Sequence, residues 1–197
     1  SMVRDVIANE LPIDQTEART RMFNATGKGV WSGAILDRTT KVVTVDIARA
    51  GMQPSQIAFE TLTRLLNPDN VRQDHLYMSR VTNSNDEVTG VSIAGSKIGG
   101  DVKNSIVLFP DPMGATGCSL SEAIRIYKNL DNGAPKKVVT LNLIVTPEFI
   151  KKITTDHPDV IVYAIRLDRG MSEDSIFSTA LGSKWSEEKG LNHRQYI

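Results

Sequence analysis

The sequence has little that would support disulfide, metal or broadly electrostatic functions. It contains one cysteine in 197 residues, which excludes an internal disulfide, and the cysteine–histidine spacing of a zinc site does not occur. Lys plus Arg and Asp plus Glu number 23 each, so no global basic field exists that would hold nucleic acid or an anionic membrane. No apolar run approaches the roughly 18 residues that span a bilayer, and no signal peptide is evident. We therefore expect a soluble cytoplasmic protein that binds neither nucleic acid nor membrane.

What the chain does have is an alternation of apolar runs and helical patterns. Because the runs are β-branched and nearly continuous, they are typical of strands that are buried on both faces. The predicted strands cover about residues 42–48, 75–79, 105–109, 138–145 and 160–165. The predicted helices cover about residues 3–11, 55–66, 119–130 and 147–157, with Ile57, Leu62 and Leu65 on one face of the second and Leu120, Ala123, Ile124 and Tyr127 on one face of the third. This order predicts an α/β fold with a five-stranded, mainly parallel sheet flanked by helices, in a single domain over residues 3–197.

Two regions interrupt the alternation. Residues 81–104 lie in a long, polar, glycine-bearing stretch, and such loops are typical of lids. We expect a flexible hairpin lid there, with Val88 to Ile93 as one arm and Gly95 to Gly100 at the mobile tip. Residues 167–197, together with elements of the N-terminal region, are expected to form a small hood over the sheet.

The stretch Asp111 to Ser119 (DPMGATGCS) follows the third predicted strand and precedes a helix. Ligands of parallel α/β sheets bind at the carboxyl ends of the strands. A helix start offers free N–H groups to an anion, and glycines let that anion approach the backbone. Asp111 can accept hydrogen bonds from sugar hydroxyls, so the stretch suits a phosphosugar. The alternative is a plain connector, in which Ser119 is the N-cap and Glu122 completes a capping box.

These nine residues closely resemble the phosphoribosyl pyrophosphate (PRPP) loop of uracil phosphoribosyltransferases, whose usual form is DPMLATGGS. Gly114 replaces the leucine of that form and Cys118 replaces its second glycine. Ile47 to Gly51 (IARAG) resembles the family's ILRAG segment, and Met78-Ser79-Arg80 resembles its M-Y-R. Tyr196-Ile197 resembles the start of the uracil-binding loop, YIxPGxGD. The matches span residues 42–197 in the family's order.

The resemblance implies a type I phosphoribosyltransferase fold and a pentosyltransferase that makes uridine monophosphate and pyrophosphate from PRPP and uracil. It implies that Arg49, Ala50, Gly51 and Arg80 hold the pyrophosphate and that Asp111 holds the ribose hydroxyls. The implied phosphate-binding residues are Pro112, Met113, Gly114, Ala115, Thr116, Gly117, Cys118 and Ser119. Tyr196 and Ile197 would bind uracil, and Asp111 and Arg49 would be catalytic. Mg²⁺ would arrive with the pyrophosphate, and the protein would form a homodimer or a larger homo-oligomer.

Other interpretations of the same residues stay open at this point. A sensor or regulator of the same fold could keep the phosphate loop and bind a nucleotide without turnover. Arg49 and Arg80 could be ordinary surface ion-pair residues. Cys118 could be a small packing residue or a thiol with a pKa lowered by the helix start. The sequence leaves base specificity, allosteric control and oligomeric state undetermined.

Overall fold

The computed structural model describes residues 2–82, 88–131, 133–168 and 170, with the side chains of 80, 82 and 88–90 left out. The helices are α1 (Met2–Glu10), α2 (Phe23–Thr26), α3 (Met52–Leu65), α4 (Cys118–Lys128) and α5 (Pro147–Asp156), with one 3-10 turn at Pro68–Asn70. The strands are β1 (Ile13–Arg19), β2 (Val30–Leu36), β3 (Val42–Ala48), β4 (Val71–Thr82), β5 (Val88–Lys97), β6 (Ile106–Gly114), β7 (Lys137–Val145) and β8 (Ile161–Leu167).

The main sheet has the strand order β5-β4-β3-β6-β7-β8. Neighbours from β4 to β8 are parallel, which confirms the five predicted parallel strands. The sheet has a sixth strand, because β5 pairs antiparallel with β4 and forms the expected hairpin arm. The strand order reverses direction between β3 and β6, so these two neighbours flank the switch point of the sheet.

Helices cover both faces of the sheet. One core contains Val43 and Phe109 from the strands and lies under α4 and α5. The other contains Val42 and Leu108 and lies under α1 and α3. Alternate residues of β3 and β6 enter opposite cores, which is why these strands are apolar at most of their positions.

The predicted face of α3 is confirmed only at Leu62. The residues that α3 buries are Ser55, Ala58 and Leu62, whereas Ile57 is 53% exposed and Leu65 is 42% exposed. Small side chains at 55 and 58 let the helix lie close to the sheet, whereas Ile57 and Leu65 point outward. The predicted face of α4 is confirmed, since Leu120, Ala123, Ile124 and Tyr127 are all buried.

The placement of Gly95 to Gly100 at a lid tip is also wrong. Gly95 to Lys97 belong to β5, and Gly99 N donates to Asp74 Oδ1 (2.9 Å). An Arg72 Nη2 bond to the carbonyl of Gly100 (3.0 Å) fixes the segment beside the first residues of β4. Gly99 and Gly100 therefore lie at the amino edge of the sheet. The lid over 81–104 and the hood over 167–197 remain predictions, because residues 83–87 and 171–197 lie outside the described part of the chain.

Strand β6 continues five residues beyond its predicted end at Phe109, through Pro110 and Pro112 to Gly114. Pairing with β3 stops at Leu108, whereas pairing with β7 continues to Gly114. Proline is tolerated where a strand has a free side, because no ladder bond is lost there.

The N-terminal sheet of β1 and β2 was not predicted, since its strands are mostly exposed and lack an apolar face. Within the described residues, no helix combines the length and hydropathy needed to cross a membrane.

A buried aspartate ties β4 to α4. Asp74 is fully buried, and its Oδ2 accepts from Tyr127 Oη (2.9 Å) while its Oδ1 accepts from Arg72 Nε (3.0 Å). Burial, followed by the charge of Asp74, raises the pKa of Tyr127 far above its usual range, so its hydroxyl stays protonated and donates.

We expect Tyr127→Phe to lower the free energy of unfolding by about 1.5–3 kcal/mol, because it removes a donor to a buried charge. Urea unfolding measures this value. Tyr163→Phe is the matched control, since Tyr163 donates to Glu10 Oε1 (2.7 Å) at a more exposed position. An equal loss in both variants would contradict a special role for Asp74.

Candidate active site

The candidate site is a crevice at the carboxyl edge of the sheet between β3 and β6. These strands pair only from Val42↔Ile106 to Thr44↔Leu108 and then separate, while β3 stays paired with β4 to Ala48↔Tyr77. The loop after β3 and the end of β6 therefore face each other across the opening. Arg49 and Asp111 both lie at this edge, as the strand pattern predicted.

The first wall is the turn from Arg49 to Gly51, which joins β3 to α3. The Ala48–Arg49 peptide is cis, and Met52 N donates to the carbonyl of Arg49 (3.2 Å). A Cβ at Gly51 would lie 2.8 Å from Ile47 N and 3.2 Å from Pro110 O. Only glycine therefore allows this turn to close against both β3 and β6. Arg49 itself is exposed and free to meet a ligand.

The second wall is the end of β6 with the loop that leads into α4. Asp111 is half-buried, and its Oδ1 accepts a bond from Met113 N (3.3 Å). Burial raises the pKa of this carboxyl above its ordinary value, and the Met113 bond offsets part of that effect. Asn142, fully buried on β7, donates through Nδ2 to the carbonyl of Asp111 (3.0 Å) and fixes the main chain.

The loop itself surrounds a small cavity of about 70 Å³, lined by residues 111, 113–120 and 149. Helix α4 begins at Cys118 with Gly117 as its N-cap; the glycine has no side chain to cap the helix, and Thr116 Oγ1 accepts a long bond from Cys118 N (3.5 Å). Gly117 has φ +79°, the left-handed conformation that glycine adopts without strain. The alternative interpretation as a capping box is therefore wrong: Ser119 lies within α4, and Glu122 instead pairs with Arg125 (2.5 Å). The other N–H groups of this first turn are available to an anion.

The remaining predicted site residues are only partly placed. Ala50 and Thr116 are exposed, and Cys118 and Ser119 are half-buried at the start of α4. The backbone of Arg80 lies on β4, paired with Val91, but its side chain is among those left out of the description. Tyr196 and Ile197 lie outside the described residues.

A serine, an aspartate and a histidine, the residue types of a hydrolase triad, also contact one another near the loop. They are Ser121, Asp156 and His157. Ser121 Oγ donates to Asp156 Oδ2 (2.5 Å), and His157 Nε2 lies 2.9 Å from the carbonyl of Ser121. Because that carbonyl can only accept, Nε2 carries a proton and cannot take one from the serine. The cluster therefore joins α4 to α5 and does not activate a nucleophile.

Sequence reasoning missed the residues below the loop. Thr146, the N-cap of α5, donates through Oγ1 to Ala115 O (2.5 Å) and accepts from Phe149 N (3.1 Å). The signal was present, because Thr146-Pro147 after an apolar run is a typical helix start at a carboxyl strand end. The contact between this helix start and the loop is long-range and could not be inferred from local pattern.

Comparison with known proteins gives consistent matches. The family model for "Uracil phosphoribosyltransferase" matches residues 2–184. The uracil phosphoribosyltransferase of Chlamydia muridarum is 34% identical over 73% of this chain, and that of Caldanaerobacter subterraneus is 28% identical over 89% of it. These alignments cover 43% and 74% of the two relatives. A further relative with the same name, from Thermosipho melanesiensis, aligns over 36% of its own length.

One solved structure, of a protein from Aquifex aeolicus, has a TM-score of 0.64 with this chain. The match covers 87% of this chain and 72% of that one at 24% identity. At this identity the likeness concerns the fold.

Proposed function

We propose that this chain, which belongs to the uracil phosphoribosyltransferase family, transfers phosphoribose from PRPP to uracil. The products are uridine monophosphate and pyrophosphate. The observation that carries this proposal is the crevice between β3 and β6, where the turn that holds the exposed Arg49 approaches β6 at Pro110, next to Asp111 and the loop that leads into α4. An anion site, a sugar acceptor and a cation at one opening suit a phosphosugar with a charged leaving group.

Each part of PRPP has a proposed partner. The 5′-phosphate lies on the N–H groups of residues 115–119 with the hydroxyls of Thr116 and Ser119, held by charge-assisted bonds. Asp111 accepts from the ribose hydroxyls. Arg49 and Arg80, with the backbone of Ala50 and Gly51, bind the pyrophosphate. Tyr196 and Ile197 are proposed at the base edge.

The reaction exchanges one bond at C1 of the ribose. The C1–O bond breaks and its electron pair leaves with pyrophosphate, while the lone pair of the uracil ring nitrogen forms the C1–N bond and that nitrogen loses its proton. Positive charge develops on the ribose as the bond breaks, and the carboxylate of Asp111 next to it stabilises that charge. The protein otherwise acts by holding the reactants in line.

Magnesium fits this arrangement as a partner of the substrate. Among the described residues, no group of three or more His, Cys, Asp or Glu side chains could hold a metal ion. Mg²⁺ commonly keeps waters and binds through substrate phosphates with one or two carboxylates. We propose that substrate oxygens and water largely hold the ion, and that Asp111 can reach it through water. The ion would neutralise charge on the leaving pyrophosphate.

The proposed assembly is a homodimer or larger homo-oligomer in the cytoplasm. An apolar groove of about 410 Å³ is lined by α1, α3, β6, β7 and β8; it includes Ile57, Leu143 and Ile165 and reaches Asp111 of the candidate site at one end. Ile165 is 68% exposed, and large exposed apolar patches mark interaction surfaces. Light scattering coupled to size exclusion tests the proposal: Ile165→Lys should lower the measured mass of an oligomer, and a parent that is monomeric at all concentrations would contradict it.

The comparisons favour the enzyme over a non-catalytic sensor, because the matched relatives carry the enzyme's name. Calorimetry followed by an assay separates the two. An enzyme binds PRPP and releases pyrophosphate only when uracil is added, whereas a sensor binds a nucleotide and releases nothing.

We expect Thr116→Val to weaken PRPP binding by about ten- to a hundredfold, since a hydrogen bond to a charged group contributes roughly 1.5–3 kcal/mol. Thr116 is exposed, so stability should change by less than about 0.5 kcal/mol. Thr154→Val is the control, because it removes an exposed hydroxyl from α5, at a position that does not line the loop cavity. Unchanged affinity in Thr116→Val would argue against the phosphate assignment of this residue.

A further inference from the structure

The first turn of α5 forms the floor of the loop that leads into α4. Thr146 N donates to Gly114 O (3.0 Å), and Thr146 Oγ1 donates to Ala115 O (2.5 Å). The backbone carbonyl of Phe149 lies 3.4 Å from the position a Cβ would take at Gly117. The main chain of the loop is therefore in contact with this turn at 114, 115 and 117.

The tightest of these contacts joins Gly114 to the ring of Phe149. A Cβ at Gly114 would lie 2.5 Å from Cδ2 and 2.7 Å from Cγ of Phe149, closer than real Cβ atoms approach. Phe149 is 1% exposed and packs in the core under α4 and α5. The ring is held from behind and cannot yield, so only glycine allows the strand end to rest on it.

This contact coincides with a departure from the family's usual loop. Position 114 is a leucine in DPMLATGGS and glycine in this chain, and the ring of Phe149 fills the space of the missing side chain from below. The loop thus receives its apolar support from α5.

We propose that Phe149 is a positioning residue. Its ring fixes the position of the main chain at Gly114 and thereby the orientation of the N–H groups of residues 115–119. The inference rests on the proposed role of this loop in phosphate binding. An error of about 1 Å in such a site can cost about a hundredfold in rate or affinity. Replacing the ring should therefore change binding beyond any effect on stability.

Ile153 provides the matched control for this claim. It is fully buried one helical turn after Phe149 on α5 and belongs to the same core, but it does not line the loop cavity. If Phe149 only fills the core, truncation at either position should have the same consequences.

The first test compares Phe149→Leu with Ile153→Ala, using calorimetry with ribose 5-phosphate as the probe. We expect Phe149→Leu to weaken binding by about tenfold and Ile153→Ala to leave it unchanged, although both lower the melting temperature. Hydrogen exchange of amides 115–119 without ligand is the second readout, and it should accelerate only in Phe149→Leu. Equal behaviour of the two variants would overturn the proposal.

The second test is a double-mutant cycle with Gly114→Ala. In the parent, we expect this methyl group to weaken ribose 5-phosphate binding by about a hundredfold, because the loop must move away from the ring. In the Phe149→Leu background the same change should weaken binding by less than about tenfold, because the smaller leucine leaves room for the added methyl group. Additive losses would show that the two residues are independent. If the parent does not bind ribose 5-phosphate, the proposed function fails, and the exchange of amides 115–119 still decides the positioning role.

Discussion

Replacing Asp111 by asparagine should lower kcat/KM for PRPP by about a hundred- to a thousandfold, because in the proposed mechanism the amide removes the negative charge that faces the developing positive charge on the ribose. Asparagine keeps the size of the side chain, so the loss would come from charge and not from packing. A pyrophosphate-release assay gives the rate constants. Asp131→Asn, an exposed position just after α4, is the control and should retain full activity.

The raised pKa of Asp111 also predicts how the stability of the protein depends on pH. Burial raises the folded-state pKa above the ordinary 3.8, so the folded protein binds the proton more tightly than the unfolded chain does. Stability therefore falls as pH rises from the ordinary value through the raised one and is constant above it. Asp111→Asn should remove this dependence and leave the free protein at least as stable at neutral pH. A variant that is inactive because it is unfolded would contradict the account.

Gly117→Val should abolish measurable binding of ribose 5-phosphate, a loss of more than about a hundredfold, because a side chain at the N-cap of α4 displaces the loop. At φ +79° a valine is also strained, which costs about 1–3 kcal/mol of stability. Its Cβ would lie 3.2 Å from Lys152 Cβ. Melting temperature and calorimetry are therefore measured together.

Gly133→Val separates strain from binding. Gly133 has φ +103°, and a Cβ there would lie 3.3 Å from Lys103 Cβ, so its backbone conformation and its nearest contact resemble those of Gly117. We expect a similar loss of stability and no loss of binding. If Gly133→Val weakens the binding of ribose 5-phosphate as much as Gly117→Val does, the effect comes from general destabilisation. The assignment of the loop to phosphate binding then loses its support.

The sheet could be predicted from the sequence because its strands are buried on both faces. Such strands produce continuous apolar runs, and β3, β7 and β8 begin and end within two residues of the predicted limits. The helices between them carry clear boundary signals, such as Pro147 in the first turn of α5. The nine-residue loop was recognisable by its resemblance to the family's PRPP loop, because its glycines and its position at a strand end were also compatible with a plain connector.

The parts that were missed depend on contacts that local pattern does not encode. The face of α3 follows from how close Ser55 and Ala58 let the helix approach the sheet. The length of β6 follows from the departure of β3 after Leu108, which leaves Pro110 and Pro112 beside an open crevice. The ring of Phe149 under Gly114 joins positions far apart in the chain, and the exposed strands β1 and β2 have no apolar periodicity to find.

The central claim is that the crevice between β3 and β6 transfers phosphoribose to uracil. Its most direct test is the formation of labelled uridine monophosphate from labelled uracil, PRPP and Mg²⁺ by the full chain, with Asp111→Asn as the comparison. The account predicts product in proportion to the pyrophosphate released, with a rate at least about a hundredfold lower in the variant. A chain that binds PRPP but forms no uridine monophosphate, or a variant as active as the parent, would contradict it.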